Sequence, residues 1–165
     1  MNSIEALFRQ LTVGVYVVGA AHDEQRDAFT AAWVMQVSFD PLLVALSINP
    51  QNASYALVKG ARAFTVNVLK QGQLEIARRF GTRSGREYDK LAGLRWHPGR
   101  SGAPILDDAL AYFDCELTAW HPAGDHEVIL GRVADGGITD PRAVPMTYRE
   151  TRDMDQSSAL YPARF

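Results

Sequence analysis

Residues 29–49 constrain the fold more than any other part of the chain. Phe29 to Ser38 and Leu42 to Asn49 are two runs of extended character, separated only by Phe39-Asp40-Pro41. Pro41 bars a helix through that junction, since it lacks an N–H and restricts the residue before it. Parallel strands need a crossover of a dozen or more residues, so two strands joined this closely form a hairpin.

The rest of the chain repeats the pattern. Gly14 to Ala21 (GVYVVGAA) is rich in β-branched residues and reads as a buried strand. The polar segment His22 to Asp27 then leads into the run at Phe29. Phe64 to Leu69 is a further strand. Ala111 to Trp120 alternates, with Ala111, Phe113, Cys115, Leu117 and Ala119 on the expected inner face. His121 to Asp125 carries turn chemistry, and Val128 to Val133 returns beside it. Val144 to Tyr148 reads as a last strand. Helices are expected over Ser3 to Leu11, over Tyr55 to Lys59 with Asn52 or Ser54 as cap and Gly60 as stop, and over Gln73 to Phe80. A shorter helix is expected at Glu87 to Leu91. This hairpin series predicts a mainly β fold, an antiparallel barrel with peripheral helices, over a doubly wound sheet.

At 165 residues the chain reads as one domain, 1–165, with a core of about 5–150 and a tail of 151–165. Its net charge of -2 argues against nucleic acid as a partner, because phosphate binding needs a basic surface. Cys115 is the lone cysteine, which rules out an internal disulfide. The N-terminal sequence lacks the basic and apolar regions of a signal peptide, and the apolar runs are too short to span a bilayer. The expected location is the cytoplasm, with no membrane partner.

Three features could carry chemistry. Thr30, Ala31 and Ala32 are small and leave the backbone open to a flat ligand. Ser47, Asn49, Gln51, Asn52 and Ser54 surround a helix start, where unpaired N–H groups attract an anion. Together they suit a planar ring carrying a phosphate, such as a flavin nucleotide, although the same polar residues could serve only as helix caps. His126, just past a Gly-Asp turn, is the third feature, because histidine exchanges protons near neutral pH. His22, His97 and His121 show no metal-ligand spacing, so no metal is expected. No G-x-S-x-G, P-loop or G-x-G-x-x-G is present. Trp33, Trp96 and Trp120 read as packing residues, and the glycine- and arginine-containing stretch 81–102 reads as a lid, binding loop or oligomer contact.

In order, Gly14-Val15-Tyr16-Val17-Val18, Phe29-Thr30-Ala31-Ala32-Trp33, Val37 to Val44, Phe64 to Leu69, Gln73 to Phe80, Gly124-Asp125-His126 and Ile129 to Val133 make a set. This ordered set resembles the flavin reductase-like family, the FMN-binding split barrel, over roughly residues 5 to 150. It departs from the family at Pro41-Leu42, where two prolines are common, and after Tyr148. The resemblance implies an antiparallel Greek-key split β-barrel and an NAD(P)H:flavin oxidoreductase. Such a protein is usually a homodimer that reduces FMN or FAD with NADH or NADPH and often hands the product to a flavin-dependent monooxygenase. It further implies that the Thr30 to Ser38 segment lines the isoalloxazine, through Thr30, Ala31, Ala32, Trp33, Val34, Val37 and Ser38. Ser47, Ile48, Asn49, Gln51, Asn52, Ala53 and Ser54 would hold the ribityl phosphate, and Phe80 would touch the flavin or end its helix. Gly124, Asp125 and His126 would lie beside the nicotinamide, with His126 as the catalytic residue. Two other readings stand beside this one: a flavoprotein electron carrier on the same barrel, and a non-catalytic binding module.

Overall fold

A computed structural model describes residues 3–165 of the chain. The element order is α1 (Ile4–Phe8), β1 (Tyr16–His22), β2 (Gln25–Ala31), β3 (Val34–Phe39), β4 (Leu42–Ile48), α2 (Tyr55–Ala61), β5 (Ala63–Val68), α3 (Leu74–Thr82), β6 (Trp96–Pro98), β7 (Pro104–Leu106), β8 (Ala111–Ala123) and β9 (His126–Ile138). Two 3-10 turns, Tyr148–Thr151 and Ser157–Leu160, follow.

Seven strands form a sheet in the order β2-β1-β5-β8-β9-β4-β3, with every neighbouring pair antiparallel. Its two edges, β2 and β3, are joined by Ala32 and Trp33 alone. A two-residue link between opposite edges forces the sheet to curl, giving a barrel that stays open between β2 and β3. The path from β4 through α2 returns to lie beside β1, which is the Greek-key step. The mainly antiparallel barrel expected from the sequence is therefore the fold observed.

The curl buries one cluster drawn from strands all round the sheet. It includes Val18, Phe29, Leu46, Ile48, Phe64, Val66, Cys115, Leu117 and Ile129, with Tyr55, Leu57 and Val58 of α2 closing on it. A second cluster joins the outer faces of β1 and β2 to Ala77 and Phe80 of α3, with Leu69, Leu106 and Met146. Phe64 fills the barrel so closely that a Cβ on Gly131 would lie 2.5 Å from its Cζ and 3.0 Å from Cys115 Cβ. Gly131→Ala is expected to cost about 1–3 kcal/mol in urea unfolding, as overpacking of a filled core does, and Phe64→Leu in the same chain should recover part of it.

Several boundaries differ from the sequence reading, each for a physical reason. The polar segment before Phe29 is already strand, because Asp23 and Glu24 both take left-handed φ (46° and 65°) and close a two-residue turn between His22 and Gln25. The run Phe29 to Ser38 is two strands, broken at Ala32-Trp33. Gly60 lies inside α2, where a Cβ would strike the His22 ring at 2.5 Å, and Arg62 takes the left-handed stop position. Turns replace the expected helix at Glu87 to Leu91, and Arg79 donates to Lys90 O and Ala92 O to hold them. The hairpin of β6 and β7 was not foreseen. His121 to Ala123 belong to β8, leaving only Gly124 and Asp125 as the turn.

Alternation along β8 is interrupted by register shifts at Asp114/Cys115 and Leu117/Ala119. Phe113 is consequently exposed, and Asp114 is buried with its carboxylate accepting the Arg100 N–H at 2.6 Å. Burial pushes the Asp114 carboxyl above its ordinary range. Residues 144–148 make isolated bridges to Gly14 and Lys70 instead of a full strand. Part of the tail packs on its own chain: Tyr161 lies 5.7 Å from the Phe8 ring, and Tyr148 and Ser157 hydroxyls meet at 2.9 Å.

Candidate functional site

The end of β2, the loop before α2 and the segment after α3 enclose a cavity of about 290 Å³. Thr30 stands at its wall and donates to Ala77 O at 2.7 Å, which ties β2 to α3. Gln51, Asn52 and Ala53 form a second wall, and residues 80–86 form a third. Arg83 and Arg86 come from that third wall. Arg83 lies 5.8 Å over the Tyr88 ring, and Arg86 donates to Gln51 O at 3.5 Å. Two guanidinium groups beside an open cavity suit an anion, since arginine presents a rigid fork of donors that stays charged.

The loop supplies fewer free amides than its sequence suggests. Asn49 Oδ1 accepts from Gln51 N, and Asn52 Oδ1 accepts from Ser54 N, both at 2.9 Å. Asn49 O takes the Asn52 N–H. These local side-chain turns consume donors that the helix-start expectation left open. Ser54 needs a sharper correction as a phosphate ligand. It is fully buried, and its hydroxyl donates to Asp27 Oδ2 at 2.8 Å. Asp27 in turn pairs with Lys90 Nζ at 3.1 Å, with side chains 9% and 3% exposed. Ser54 thus braces the floor of the cavity and does not face a ligand. Ser54→Ala is expected to cost about 1–3 kcal/mol in denaturant unfolding, because a buried carboxylate loses a donor, and to cost less when Asp27 is already asparagine.

Beyond Thr30, the chain passes through Ala31 and Ala32 to Trp33, whose ring lies 4.9 Å from the His126 ring, tilted by 56°. Trp33 O also accepts from Ser47 N at 3.0 Å, which holds this link against the end of β4. His126 opens β9 just after a two-residue turn in which Gly124 has φ 67°, a conformation glycine adopts without strain. His126 Nδ1 lies 2.7 Å from Asp125 Oδ1, and the imidazole holds that carboxyl below its ordinary range. The neighbouring Glu127 accepts from Tyr55 OH at 2.8 Å and from Lys59 Nζ at 3.1 Å, which lower its carboxyl as well. These two bonds fasten the turn that carries His126 to α2, and so to the loop preceding α2.

Thr30, Gln51, Asn52, Ala53 and Phe80 therefore share one cavity, while Trp33 and His126 meet each other close by along the chain. Phe80 does not end its helix, which runs to Thr82. Ile48 belongs to the barrel core. Val37 and Ser38 lie farther along β3, outside the walls of this cavity. The residues not foreseen are Arg83, Arg86, Asp27 and Lys90. The arginines sit in the long irregular segment whose length marked it as a lid, binding loop or oligomer contact. Nothing in the sequence linked Asp27 with Lys90. Among the described residues, no group of three His, Cys, Asp or Glu is placed to hold a metal, and no helix is long and apolar enough to cross a membrane.

The model of the flavin reductase like domain family matches residues 8–156. The high molecular weight rubredoxin of Moorella thermoacetica is 34% identical over 140 residues, which are 84% of this chain and 61% of that protein. The flavin-dependent monooxygenase reductase subunit HsaB of Mycobacterium tuberculosis is 32% identical over 80% of this chain and 69% of its own length. Among solved structures, the NADH:FAD oxidoreductase SgcE6 of Streptomyces globisporus superposes with a TM-score of 0.83 at 27% identity, covering 90% of this chain and 89% of that one.

Proposed function

The chain belongs to the family of flavin reductase like domains, and from that premise we propose that it reduces FMN or FAD with NADH or NADPH and supplies the reduced flavin to a partner monooxygenase. The observation that carries this reading is the placement of two centres along one short path. Thr30, in the wall of the arginine-bordered cavity, and Trp33, which meets His126, are separated along the chain only by Ala31 and Ala32.

The residues present fit a flavin nucleotide. Arg83 and Arg86 balance the charge of a phosphate. Gly81 keeps the wall beside Thr30 clear, since a Cβ there would come within 3.3 Å of Thr30 Cβ. When bound, the flavin ring supplies the hydride acceptor, and the protein's part is orientation and electrostatics. Ala31 and Ala32 let the ring approach the backbone. Trp33 and His126 would hold a nicotinamide against the hydride acceptor and exclude water from it. His126, braced through Asp125 and the Glu127 bonds, positions the hydride donor. Thr30 keeps α3 against β2, so that the arginines stay beside the phosphate.

The proposal includes a homodimer. Met35 and Phe39 of β3 are 64% and 85% exposed, and Val37, Leu42 and Ile138 are also exposed apolar residues. An apolar face of this kind on a barrel edge fits a second copy of the chain. The protein would work in the cytoplasm, where NAD(P)H is available. Anaerobic mixing with NADH or NADPH and excess riboflavin, FMN or FAD tests the activity. Reduction of many flavins per subunit is expected, whereas bleaching of one flavin per subunit would make the protein an electron carrier. Absence of any flavin-induced rise in melting temperature under saturating ligand would make it a non-catalytic module.

A further inference from the structure

A larger cavity of about 640 Å³ adjoins the one described above and shares Ala53, Gly85, Arg86 and Lys90 with it. Its remaining walls come from the β1–β2 turn region, the outer side of α2 and residues 88–91. None of residues 29–34 or 124–127 lines it. The larger cavity therefore opens from the anion end of the smaller one, away from the Trp33–His126 pair. A ligand whose phosphate lies between Arg83 and Arg86 would enter it by extending beyond that phosphate.

The walls of this extension combine charged groups, among them Glu24, Asp27 and Asp89, with contacts suited to a purine nucleotide. Tyr88 is 54% exposed, with Arg83 over one face of its ring, and Ala56 and Leu57 offer an aliphatic wall. A flat heterocycle stacks well on such a ring and packs on such methyls. Arg86 borders both cavities, at the place where a diphosphate linking two nucleosides would pass. Lys90 is there too, but its charge is already matched by Asp27. A mononucleotide would leave most of this space to water.

We infer that the larger cavity, walled by Tyr88, Ala56, Leu57 and Arg86, is a subsite for the adenylate half of FAD, so that the site prefers the dinucleotide flavin to FMN. The inference rests on the flavin-binding reading proposed above and assigns the chemical class that this reading leaves open. It also assigns the role of Tyr88: a specificity residue for the adenine ring, with no part in holding the flavin ring itself.

Titration by flavin fluorescence quenching tests it without any turnover. The dissociation constants of riboflavin, FMN and FAD are measured for the unaltered chain, for Tyr88→Ala and for Ala56→Trp, in which an exposed helix residue becomes large enough to fill the cavity. FAD is expected to bind about tenfold or more tightly than FMN to the unaltered chain, a ratio typical of one good stacking contact. Ala56→Trp should bring FAD to the level of FMN and leave FMN within about twofold of its starting value, while Tyr88→Ala, which also removes the ring beneath Arg83, should weaken FAD more than FMN. Equal affinity for FMN and FAD in the unaltered chain would overturn the inference and leave flavin binding standing. So would variants that weaken both flavins alike. If instead Ala56→Trp raised the KM for NADH with FAD affinity unchanged, the cavity would hold the adenylate of the hydride donor, and the assignment to FAD would be wrong. Failure of all three flavins to bind would remove the underlying reading as well.

Discussion

Replacing His126 with alanine is expected to slow reduction of flavin by NADH on the order of 10–100-fold while leaving flavin affinity within about twofold, because misplacing a hydride donor by about 1 Å costs up to that much. The imidazole packs 4.9 Å from Trp33 and is braced by Asp125, yet it lines no wall of the arginine-bordered cavity. Its loss should therefore act on the donor and not on the flavin phosphate. Stopped-flow reduction of bound flavin gives the rate, and fluorescence titration gives the affinity. Equal losses in both would make His126 a structural residue of the hairpin. Glu127→Gln should produce a weaker version of the same split, since it loosens the turn while leaving the ring present.

Lys90→Met is expected to be the most destabilising of the single substitutions considered, at about 3–5 kcal/mol in urea unfolding. The ammonium is 3% exposed and is 3.1 Å from Asp27. Without it, the carboxylate stays buried with, among the described residues, only the Ser54 hydroxyl as side-chain partner. Adding Asp27→Asn should return much of the lost stability, because the uncompensated charge is gone. The double variant should still bind flavin less tightly than the unaltered chain. The pair joins β2 to the segment that follows Arg83 and Arg86, and a Cβ on Gly85 would meet the Asp27 carboxylate at 2.2 Å. That segment is held by this contact and by Arg79. Full recovery of both stability and affinity in the double variant would mean that the pair has no part in placing the arginines.

Much of the fold was legible because it rests on local rules. Pro41 and the three-residue junction dictated a hairpin, β-branched runs marked β1 and β5, and turn residues ending in Gly124-Asp125 placed His126 beside the returning strand. The small residues at 30–32 were recognisable for the same reason, since side-chain size is a property of each residue alone, but that Ala31 packs into the barrel core was not. The core of the site was less legible. Asn49 and Asn52 looked like anion ligands, but their side chains close turns onto their own backbone. Ser54 looked like a cap or a phosphate donor, but a residue 27 positions away takes its hydroxyl.

The sequence alone determined the antiparallel barrel, the hairpins of its main sheet and the order in which the pieces of the site occur. Tertiary structure alone decided that Asp27, Ser54 and Lys90 form a buried unit, that Arg83 and Arg86 border a cavity, and that β8 breaks its alternation at Asp114. Periodicity and turn chemistry are set by neighbours within a few positions and can be read along the chain. Pairing of charges depends on which distant segments the curled sheet brings together, and no local pattern encodes that distance.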